Sequence, residues 1–349
     1  MRPRRRSGPI PIDPSKPFDL AFPVTPTYRD CRLDLFVKAM VPSMSRTKIQ
    51  KYCDAGRVLV NGAPRPANWV ARLGDEVVLC CKDPEGGAAA ATARAIAATL
   101  EALYEDDDVL AVNKPAGLVV HPVGRHRHDT LLNALYERYK DVLPPEQEVS
   151  LANRLDQYTS GLILVAKNTA AKRVLQDQFE NRRVSKEYYA ICAGVIAADG
   201  GEVDAPLGPK EPGSTLLQAV RRDALGKPAR TEYQVLERFP ARDGDKGLTF
   251  VRLLPHTGRQ HQLRVHMASI GHPLLSDQHY GQPLTLTLEH GGGVATMARY
   301  ALHAAKLTFR HPDGELMTLE APLADDLTAV LAALRAGAPR VYTERPVRD

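Results

Sequence analysis

The chain has 349 residues, of which 25% are charged and 44% apolar, and its net charge is +5, so the composition excludes a disordered or fibrous protein. Its five cysteines contain no Cys-x-x-Cys pair, so neither a disulfide framework nor a thiolate zinc site is indicated. No apolar run approaches the ~18 residues of a membrane span. The first basic residues lead into prolines where a signal peptide would be apolar. We therefore expect a cytoplasmic protein without membrane contact, and its length predicts two folded domains.

The positive charge is concentrated at one end of the chain. Residues 1–65 carry thirteen Lys or Arg against five Asp or Glu, a net charge of +8, whereas the remaining 284 residues carry −3. Such asymmetry indicates that this end contacts a polyanion. Residues 1–28 contain seven prolines and no apolar periodicity, so we expect a disordered basic arm there.

Residues 29–82 predict a helix–helix–hairpin module. The first helix is indicated by apolar residues at i, i+3, i+4 and i+7, which are Leu33, Phe36, Val37 and Met40. Ser43 or Ser45 can cap a second helix, and Gly56 can end it. The apolar face of this helix is formed by Ile49, Tyr52 and Cys53. Its basic outward face is formed by Arg46, Lys48 and Lys51. Asn61-Gly62 is typical of a two-residue hairpin turn, and a short apolar strand follows at 77–81.

This module resembles the alpha-L RNA-binding module first described in a small-subunit ribosomal protein. The resemblance covers about residues 30–80 and depends on short motifs in order: Arg32-Leu33-Asp34, Ser45-Arg46, Gly56-Arg57-Val58, Val60-Asn61-Gly62 and Gly74-Asp75. It implies that the basic face of the second helix contacts RNA. The alternative is a small α+β module whose basic face is only solvated.

A second, larger domain is expected over residues 99–335, after a linker at 83–98 and before a tail at 336–349. Short strands are predicted at 109–113, 162–167, 187–192, 231–236 and 248–254. Helical patterns occupy 130–139, 171–179 and 261–270. Many strands with few interspersed helices predict a mixed or antiparallel sheet, so the chain is assigned to the α+β class.

The sequence lacks the usual signatures of cofactor binding. It has no P-loop, no dinucleotide-binding glycine fingerprint, no nucleophile elbow and no His-Glu-x-x-His motif. A histidine-rich loop at 121–128 has Asp129 as its one acidic neighbour, so phosphate binding with Arg125 and Arg127 is favoured over a metal site. We expect no metal and no cofactor.

Three polar segments beside apolar strands carry the candidate chemistry. Asp156 stands just before a Thr-Ser-Gly turn that leads into a buried strand, where it is either a catalytic carboxylate of fixed geometry or a cap of the turn. Tyr188 stands on a strand, where a tyrosine can face a site or pack in the core. Arg264 lies at the edge of an apolar helical stripe, on one face with His261, and needs an anion such as Asp156.

These segments resemble the RluA-type pseudouridine synthase family. The shared pattern is Arg-Leu-Asp followed by Thr-Ser-Gly at 154–161, Lys-x-Tyr at 186–188, and Thr-Gly-Arg-x-His-Gln-Leu-Arg-x-His at 257–266. Supporting matches are Asn113-Lys114-Pro115, His121-Pro122, Gly271-His272-Pro273-Leu274 and Leu302-His303-Ala304. The chain departs from the family at Asn153, where histidine is usual, and this departure concerns the RNA target more than the chemistry.

The resemblance implies an RNA uridine isomerase that needs no cofactor. Asp156 is then the catalytic carboxylate, Tyr188 stacks on the base and assists removal of the carbon-5 proton, and Arg264 pairs with Asp156. Arg154 fills the space of the flipped-out base, and Leu263 either contacts the base or serves only the core. The other residues expected to bind RNA are Arg259, His261, Arg46, Lys48, Lys51 and Arg125.

Large-subunit ribosomal RNA is the expected substrate, and transfer RNA is the alternative for the same reaction. A noncatalytic RNA-binding protein of ribosome assembly is the alternative from another class, but the presence of both Asp156 and Tyr188 disfavours it. A hydrolytic glycosidase would require a second carboxylate across the scissile bond, and no motif places one. We expect a monomer whose partner is RNA.

Overall fold

The computed structural model describes residues 20–42, 44–54, 56–80, 86–124, 126–143, 149–213, 217–242, 244–281 and 284–344. The chain divides into two compact units, Met1–Ala91 and Thr92–Asp349, and the boundary falls inside the predicted linker. Residues 1–19 of the predicted arm, together with Ser43 and Arg125, lie outside the described residues. No helix within the described ranges is long and apolar enough to cross a membrane.

The first unit packs two helices against small antiparallel sheets. Its elements are β1 Leu20–Pro23, β2 Cys31–Arg32, α1 Leu33–Met40, α2 Arg46–Asp54, β3 Val58–Val60, β4 Ala63–Pro64, β5 Val70–Ala71 and β6 Glu76–Leu79. One sheet has the order β1-β6-β3-β4, and β2 pairs with β5. The core contains the apolar residues that helical spacing predicted, among them Leu33, Phe36, Val37, Ile49 and Cys53.

Residues 20–28 are ordered, so the prediction of a disordered arm is wrong for this part of it. Strand β1 pairs with β6 along its whole length. Leu20 and Phe22 pack against the core of the first unit, and Val24 is buried in it. Two alternating apolar residues among prolines form a pattern too short to predict a strand. The backbone groups of β1 find their hydrogen-bond partners only through pairing with β6.

The caps and turns predicted for this unit are confirmed. Ser45 caps α2, since its Oγ accepts a hydrogen bond of 3.2 Å from the N–H of Lys48. Gly56, with φ of +69°, follows the end of the helix. Asn61 and Gly62 have φ of +51° and +79°, as a type I′ hairpin turn requires.

In the described part of the first unit, the carboxylate of Asp34 in the first turn of α1 is buried. Its oxygens accept hydrogen bonds from Arg32, Arg46 and Gln50, the last two of which lie on α2. Burial would raise the pKa of Asp34, but these three donors outweigh it and hold the pKa at about 2. Arg46, although exposed, therefore helps to fasten α2 to α1.

The second unit is built on one long sheet. Its elements are α3 Gly86–Thr99, which begins before the boundary, β7 Glu101–Glu105, β8 Val109–Lys114, α4 Leu131–Tyr139, β9 Ser150–Leu151, β10 Ser160–Ala166, α5 Thr169–Glu180, β11 Ser185–Ala193, β12 Gly200–Asp204, β13 Leu207–Pro209, β14 Gln218–Val220, β15 Arg230–Phe239, β16 Leu248–Pro255, α6 Gln262–Ser269, β17 Leu284–His290, β18 Gly293–Met297, β19 Leu302–Arg310, β20 Leu316–Glu320, α7 Asp325–Arg335 and β21 Arg340–Glu344. The ten-stranded sheet has the order β12-β15-β16-β11-β19-β10-β8-β7, with β20 on β19 and β9 on β10. Smaller sheets are β13-β14 and β18-β17-β21.

The strands and helices predicted for this unit are found close to their expected bounds. The sheet is mixed, as expected, because β10 and β19 pair in parallel while β10 and β8 are antiparallel. The predicted tail is wrong for residues 336–344: β21 pairs with β17, and Ala338 is buried. Residues 345–349 lie outside the described residues. A strand whose partner lies far away in the sequence has no local signal beyond its own short pattern.

Strands β10 and β19 come very close together at the Thr-Ser-Gly turn. Their parallel pairing places Gly161 opposite Ala304. Gly161 has φ of +107°, and a Cβ at this position would lie 2.2 Å from the carbonyl oxygen of Ala304. Only glycine fits, so the turn that follows Asp156 is fastened directly to the sheet.

We expect Gly161→Ala to lower the free energy of unfolding by about 2–5 kcal/mol, because it adds both a clash and an unfavourable φ. Gly314→Ala is the matched control, since φ there is +98° but the space around it is open. The control should cost only about 1–2 kcal/mol. Urea unfolding of both variants measures the difference, and equal losses would show that the Ala304 carbonyl does not limit this turn.

Candidate active site

The second unit contains a pocket of about 670 Å³. Predicted site residues from separate parts of the chain line it together: Arg154, Asp156, Tyr188, Arg259, His261, Leu263 and Arg264. The predicted RNA-binding residues of the first unit are exposed on α2: Arg46, Lys48 and Lys51. The pocket residues of the second unit come from segments that are far apart along the chain.

Asp156 lies in the loop between β9 and β10, and its side chain is 27% exposed. The turn behind it is closed by the backbone, since the N–H of Thr159 donates to the carbonyl oxygen of Asp156 at 3.1 Å. The turn does not need the Asp156 carboxylate as a cap, and that side chain lines the pocket instead. Of the two interpretations of this residue, the geometry favours a reactive carboxylate.

Two inward-pointing side chains hold the Asp156 loop. Asn153 accepts a hydrogen bond of 2.9 Å from the N–H of Leu164 in β10, so the departure from the family's usual histidine has a structural role here. Lys114 is fully buried, and its Nζ donates to the carbonyl oxygen of Gln157 at 3.0 Å and to two carbonyls of the 115–118 loop. Burial lowers the pKa of Lys114 to about 7.

Arg299, which sequence reasoning missed, holds the same loop from the other side. Its buried guanidinium donates to the carbonyl oxygen of Tyr158 at 2.9 Å and to Oγ of Ser160 at 3.0 Å. Two further hydrogen bonds, of 2.7 and 2.8 Å, join it to the Asp326 carboxylate in the first turn of α7. An arginine just before a buried strand gives no local sign of these partners.

Arg264 is held by a carboxylate that the sequence did not indicate. Its Nε and Nη2 donate to the fully buried Asp277 at 2.7 and 2.9 Å, whereas its Nη1 lies 3.6 Å from Oδ2 of Asp156. The predicted pair of Arg264 and Asp156 is therefore an ion pair at longer range, and Asp277 is the hydrogen-bonded partner. Burial would lower the pKa of Arg264, but the bonds to Asp277 outweigh it and raise that pKa. The guanidinium stays charged beside Asp156.

Two tyrosine rings complete the surroundings of Arg264. Its guanidinium carbon lies 4.1 Å from the ring centroid of Tyr300 and 4.8 Å from that of Tyr280. Such contacts stabilise a cation that water cannot reach. The Tyr300 hydroxyl also accepts a hydrogen bond of 3.2 Å from the N–H of Tyr158, which connects this arginine to the Asp156 loop.

Tyr188 lies on β11, where the pairing with β19 shifts register between Glu187 and Tyr188. Such a bulge re-aims a side chain, and the half-buried Tyr188 ring lines the pocket while packing against two core clusters. Burial, followed by the charge of Asp156, raises the pKa of Tyr188, so its phenol is neutral. Leu263 is 7% exposed and belongs both to the core and to the pocket lining, so both of its predicted roles fit its position.

His261 begins α6 in a left-handed backbone conformation, with φ of +54°. The Tyr280 hydroxyl accepts from the N–H of Gln218 at 2.9 Å and lies 2.7 Å from Nδ1 of His261. Nε2 of His261 lies 3.8 Å from Oδ2 of Asp156, so the imidazole lies between the Tyr280 hydroxyl and the Asp156 carboxylate. Burial lowers the pKa of His261, which keeps the ring neutral.

The histidine-rich loop forms its own contacts. Nδ1 of His126 lies 2.7 Å from the Asp129 carboxylate. Burial, followed by the charge of Arg154, lowers the pKa of His121. Phosphate binding by this loop stays a prediction.

Known proteins match this arrangement along most of the chain. The RNA pseudouridylate synthase family matches residues 108–269, and the S4 domain family matches residues 31–77. An uncharacterised RNA pseudouridine synthase of Bacillus subtilis is 38% identical over 307 residues, covering 87% of this chain and 94% of the relative. Ribosomal large subunit pseudouridine synthase D of Nitrosomonas europaea is 36% identical over 319 residues, covering 90% and 88%.

A solved structure agrees with these relatives. Human RNA pseudouridylate synthase domain containing 4 has a TM-score of 0.54 and 26% identity, over 71% of this chain and 97% of the human one. These matches define a pseudouridine synthase domain preceded by an S4 domain, and the pocket with Asp156 and Arg264 lies in the former. The chain belongs to the RNA pseudouridine synthase family and is an isomerase, as the motifs predicted.

We expect Asp277→Asn to cost about 3 kcal/mol of stability and to lower isomerase activity at least about tenfold, because Arg264 loses its buried counter-charge. Asp245→Asn is the control: Asp245 lies 2.7 Å from the buried Arg340 but does not line the pocket. It should lose stability with little change in activity. Tritium release from carbon-5-labelled uridine and thermal unfolding measure the two effects. Equal activity losses in both variants would show that the contact of Asp277 with Arg264 has no specific effect on activity.

Proposed function

We propose that this chain converts specific uridines of large-subunit ribosomal RNA to pseudouridine, acting as a monomer in the cytoplasm. The observation that carries the proposal is the Asp156 carboxylate, which faces the pocket 3.6 Å from the charged guanidinium of Arg264. Relatives named for the large ribosomal subunit support the choice of substrate. Asn153 accepts a hydrogen bond from the N–H of Leu164 in β10, which gives this departure from the family a structural role.

The chemistry assigned to Asp156 is intramolecular group transfer. The bond from ribose carbon 1′ to uracil N1 breaks, the base turns, and carbon 1′ bonds to carbon 5. N1 gains a proton and carbon 5 loses one, so the reaction balances without an energy source or a redox partner. Asp156 attacks the ribose or the base, or initiates elimination, and Arg264 stabilises its negative charge whenever the carboxylate is free.

Tyr188 is assigned the stacking contact with the base and a part in removing the carbon-5 proton. Its phenol is neutral in the free enzyme because burial raises its pKa. A neutral phenol can accept the carbon-5 proton only if it releases its own proton at the same time. In the routes that leave the Asp156 carboxylate free at this step, we propose that this carboxylate, whose charge already acts on Tyr188, takes that proton.

We assign binding of the RNA target to several elements. Arg154 is exposed beside Asp156 and can occupy the space of the flipped-out uridine. Arg259 lines the same pocket, and its Nε donates to the carbonyl oxygen of Pro228 at 3.1 Å. In the first unit, Lys48 and Lys51 are exposed on α2 and supply phosphate contacts.

Asp156→Asn should lower tritium release to below about one thousandth of the wild-type rate, because an amide cannot act as the nucleophile. RNA affinity should stay within about threefold, because the basic surface is unchanged. Asp199→Asn, at a side chain that is 93% exposed, is the control and should retain full activity. Near-normal turnover of the Asp156 variant would exclude this residue from the mechanism.

The double variant Lys48→Gln, Lys51→Gln should bind ribosomal RNA more weakly and flatten a log–log plot of affinity against salt. Each lost phosphate contact lowers the slope by roughly 0.7 for a single strand. Lys140→Gln with Lys306→Gln removes the same charge from lysines that pair with Glu137 and Glu320. Fluorescence anisotropy at several KCl concentrations compares the pairs. If both double variants change the slope equally, net charge and not α2 determines RNA binding.

A further inference from the structure

The pocket wall carries more positive charge than the proposed chemistry uses. Among the described residues that line it, Asp156 is the one carboxylate, whereas six are basic: Arg154, Arg182, Lys186, Lys227, Arg259 and Arg264. The Asp277 carboxylate compensates Arg264. Arg182 and Lys186 have no role in the chemistry above, yet they lie in the wall next to Tyr188.

Lys186 lies on β11 and is half-buried, with its Nζ donating to the carbonyl oxygen of Thr257 at 3.2 Å. Burial, followed by the charge of Arg182, lowers the pKa of Lys186 to about 8. In the part of the chain that the structure describes, neither cation forms an ion pair with a carboxylate. Two neighbouring cations therefore repel each other in the free protein, and an anion between them would relieve that repulsion.

The backbone at Arg182 provides an independent indication. Arg182 follows the end of α5 with φ of +57°, where glycine is the residue of lowest cost. The N–H of Arg182 donates to the carbonyl of Phe179, and the N–H of Arg183 donates to that of Gln178, as in a Schellman cap. An arginine at this φ costs more stability than a glycine would, and the side chain that it places there lines the pocket.

We propose that Arg182 and Lys186 form a phosphate subsite that holds the RNA strand next to the flipped-out uridine. This inference rests on the proposed function, since it places the strand beside the base that Tyr188 stacks. Two residues along a strand span about 7 Å, so a phosphate at Lys186 lies within about one nucleotide of that base. A guanidinium fork and a lysine ammonium are the side chains that bind phosphodiester oxygens best.

Arg182→Gly in the full chain tests the subsite without weakening the fold, because glycine suits this φ. Arg183→Gln is the matched control: it removes the same charge one residue away, from a side chain that pairs with Asp177 and does not line the pocket. Two probes are used at several KCl concentrations. A carbon-5-tritiated transcript of large-subunit ribosomal RNA gives kcat and KM, and a fluorescent oligouridylate gives Kd.

For Arg182→Gly we expect a Tm at or above that of the wild type and a kcat within about twofold. KM and Kd should rise about 3- to 10-fold, and the salt slope should fall by about 0.7. Lys186→Gln should show the same change of slope, and Lys186→Arg should recover most of the affinity. Arg183→Gln should match the wild type in all of these quantities.

Equal KM, Kd and salt slope in Arg182→Gly and Arg183→Gln would overturn the subsite. A Lys186→Gln variant with a lower Tm but the wild-type slope would also overturn it, since Lys186 would then only fasten β11 to Thr257. If the wild type binds oligouridylate with a slope that depends on Arg182 but releases no tritium from ribosomal RNA, the subsite stands and the proposed function fails.

Discussion

The compensation of one buried charge, that of Arg264, organises the active site. Its guanidinium is a planar fork, and Asp277 occupies the edge formed by Nε and Nη2, which leaves Nη1 directed at Asp156. Asp277 and Asp156 consequently interact with Arg264 in different ways, the first through hydrogen bonds and the second as an ion pair at longer range. Asp277 is fully buried and stabilises the arginine, so Asp156 does not have to be sequestered for that purpose and stays 27% exposed. A carboxylate that neutralised Arg264 alone would be poorly available to a substrate.

Buried basic side chains also hold the loop that carries Asp156. Lys114 and Arg299 are both buried basic side chains, and each donates to backbone carbonyls of this loop rather than to the Asp156 carboxylate. These hydrogen bonds fix the loop in the free protein, and a fixed position is what a catalytic carboxylate would require. Asp326 on α7 orients Arg299, so a helix near the end of the chain contributes to the site without touching the pocket.

Basic side chains lie in different surroundings in the two units, on an exposed helix in the first and in a pocket wall in the second. In the first unit, Arg46 is partly engaged in holding Asp34 between α1 and α2, whereas Lys48 and Lys51 are exposed on the same helix and available to phosphates. In the second unit, Arg182 and Lys186 lie in the wall of the pocket itself. The first set suits overall affinity for a polyanion, and the second suits the position of one strand relative to Asp156.

Local patterns in the sequence predicted both helices of the first unit and several strands and helices of the second. The Ser45 cap, the Asn61-Gly62 turn and the apolar faces of α1 and α2 depend only on neighbouring residues, which the chain order supplies. The motifs also selected Asp156, Tyr188 and Arg264, which line one pocket in the structure, and their catalytic roles stay predictions.

Tertiary structure alone decided which side chains meet. The helical pattern predicted on which face of α6 Arg264 lies, but it did not predict whether Asp156 or Asp277 is its partner. The partner depends on how α6 packs against the loop that follows it. Arg299 and strand β21 were missed for the same reason: their partners lie elsewhere in the chain. Periodicity and turn chemistry are local properties, whereas ion pairs and strand pairing arise only when distant segments come together.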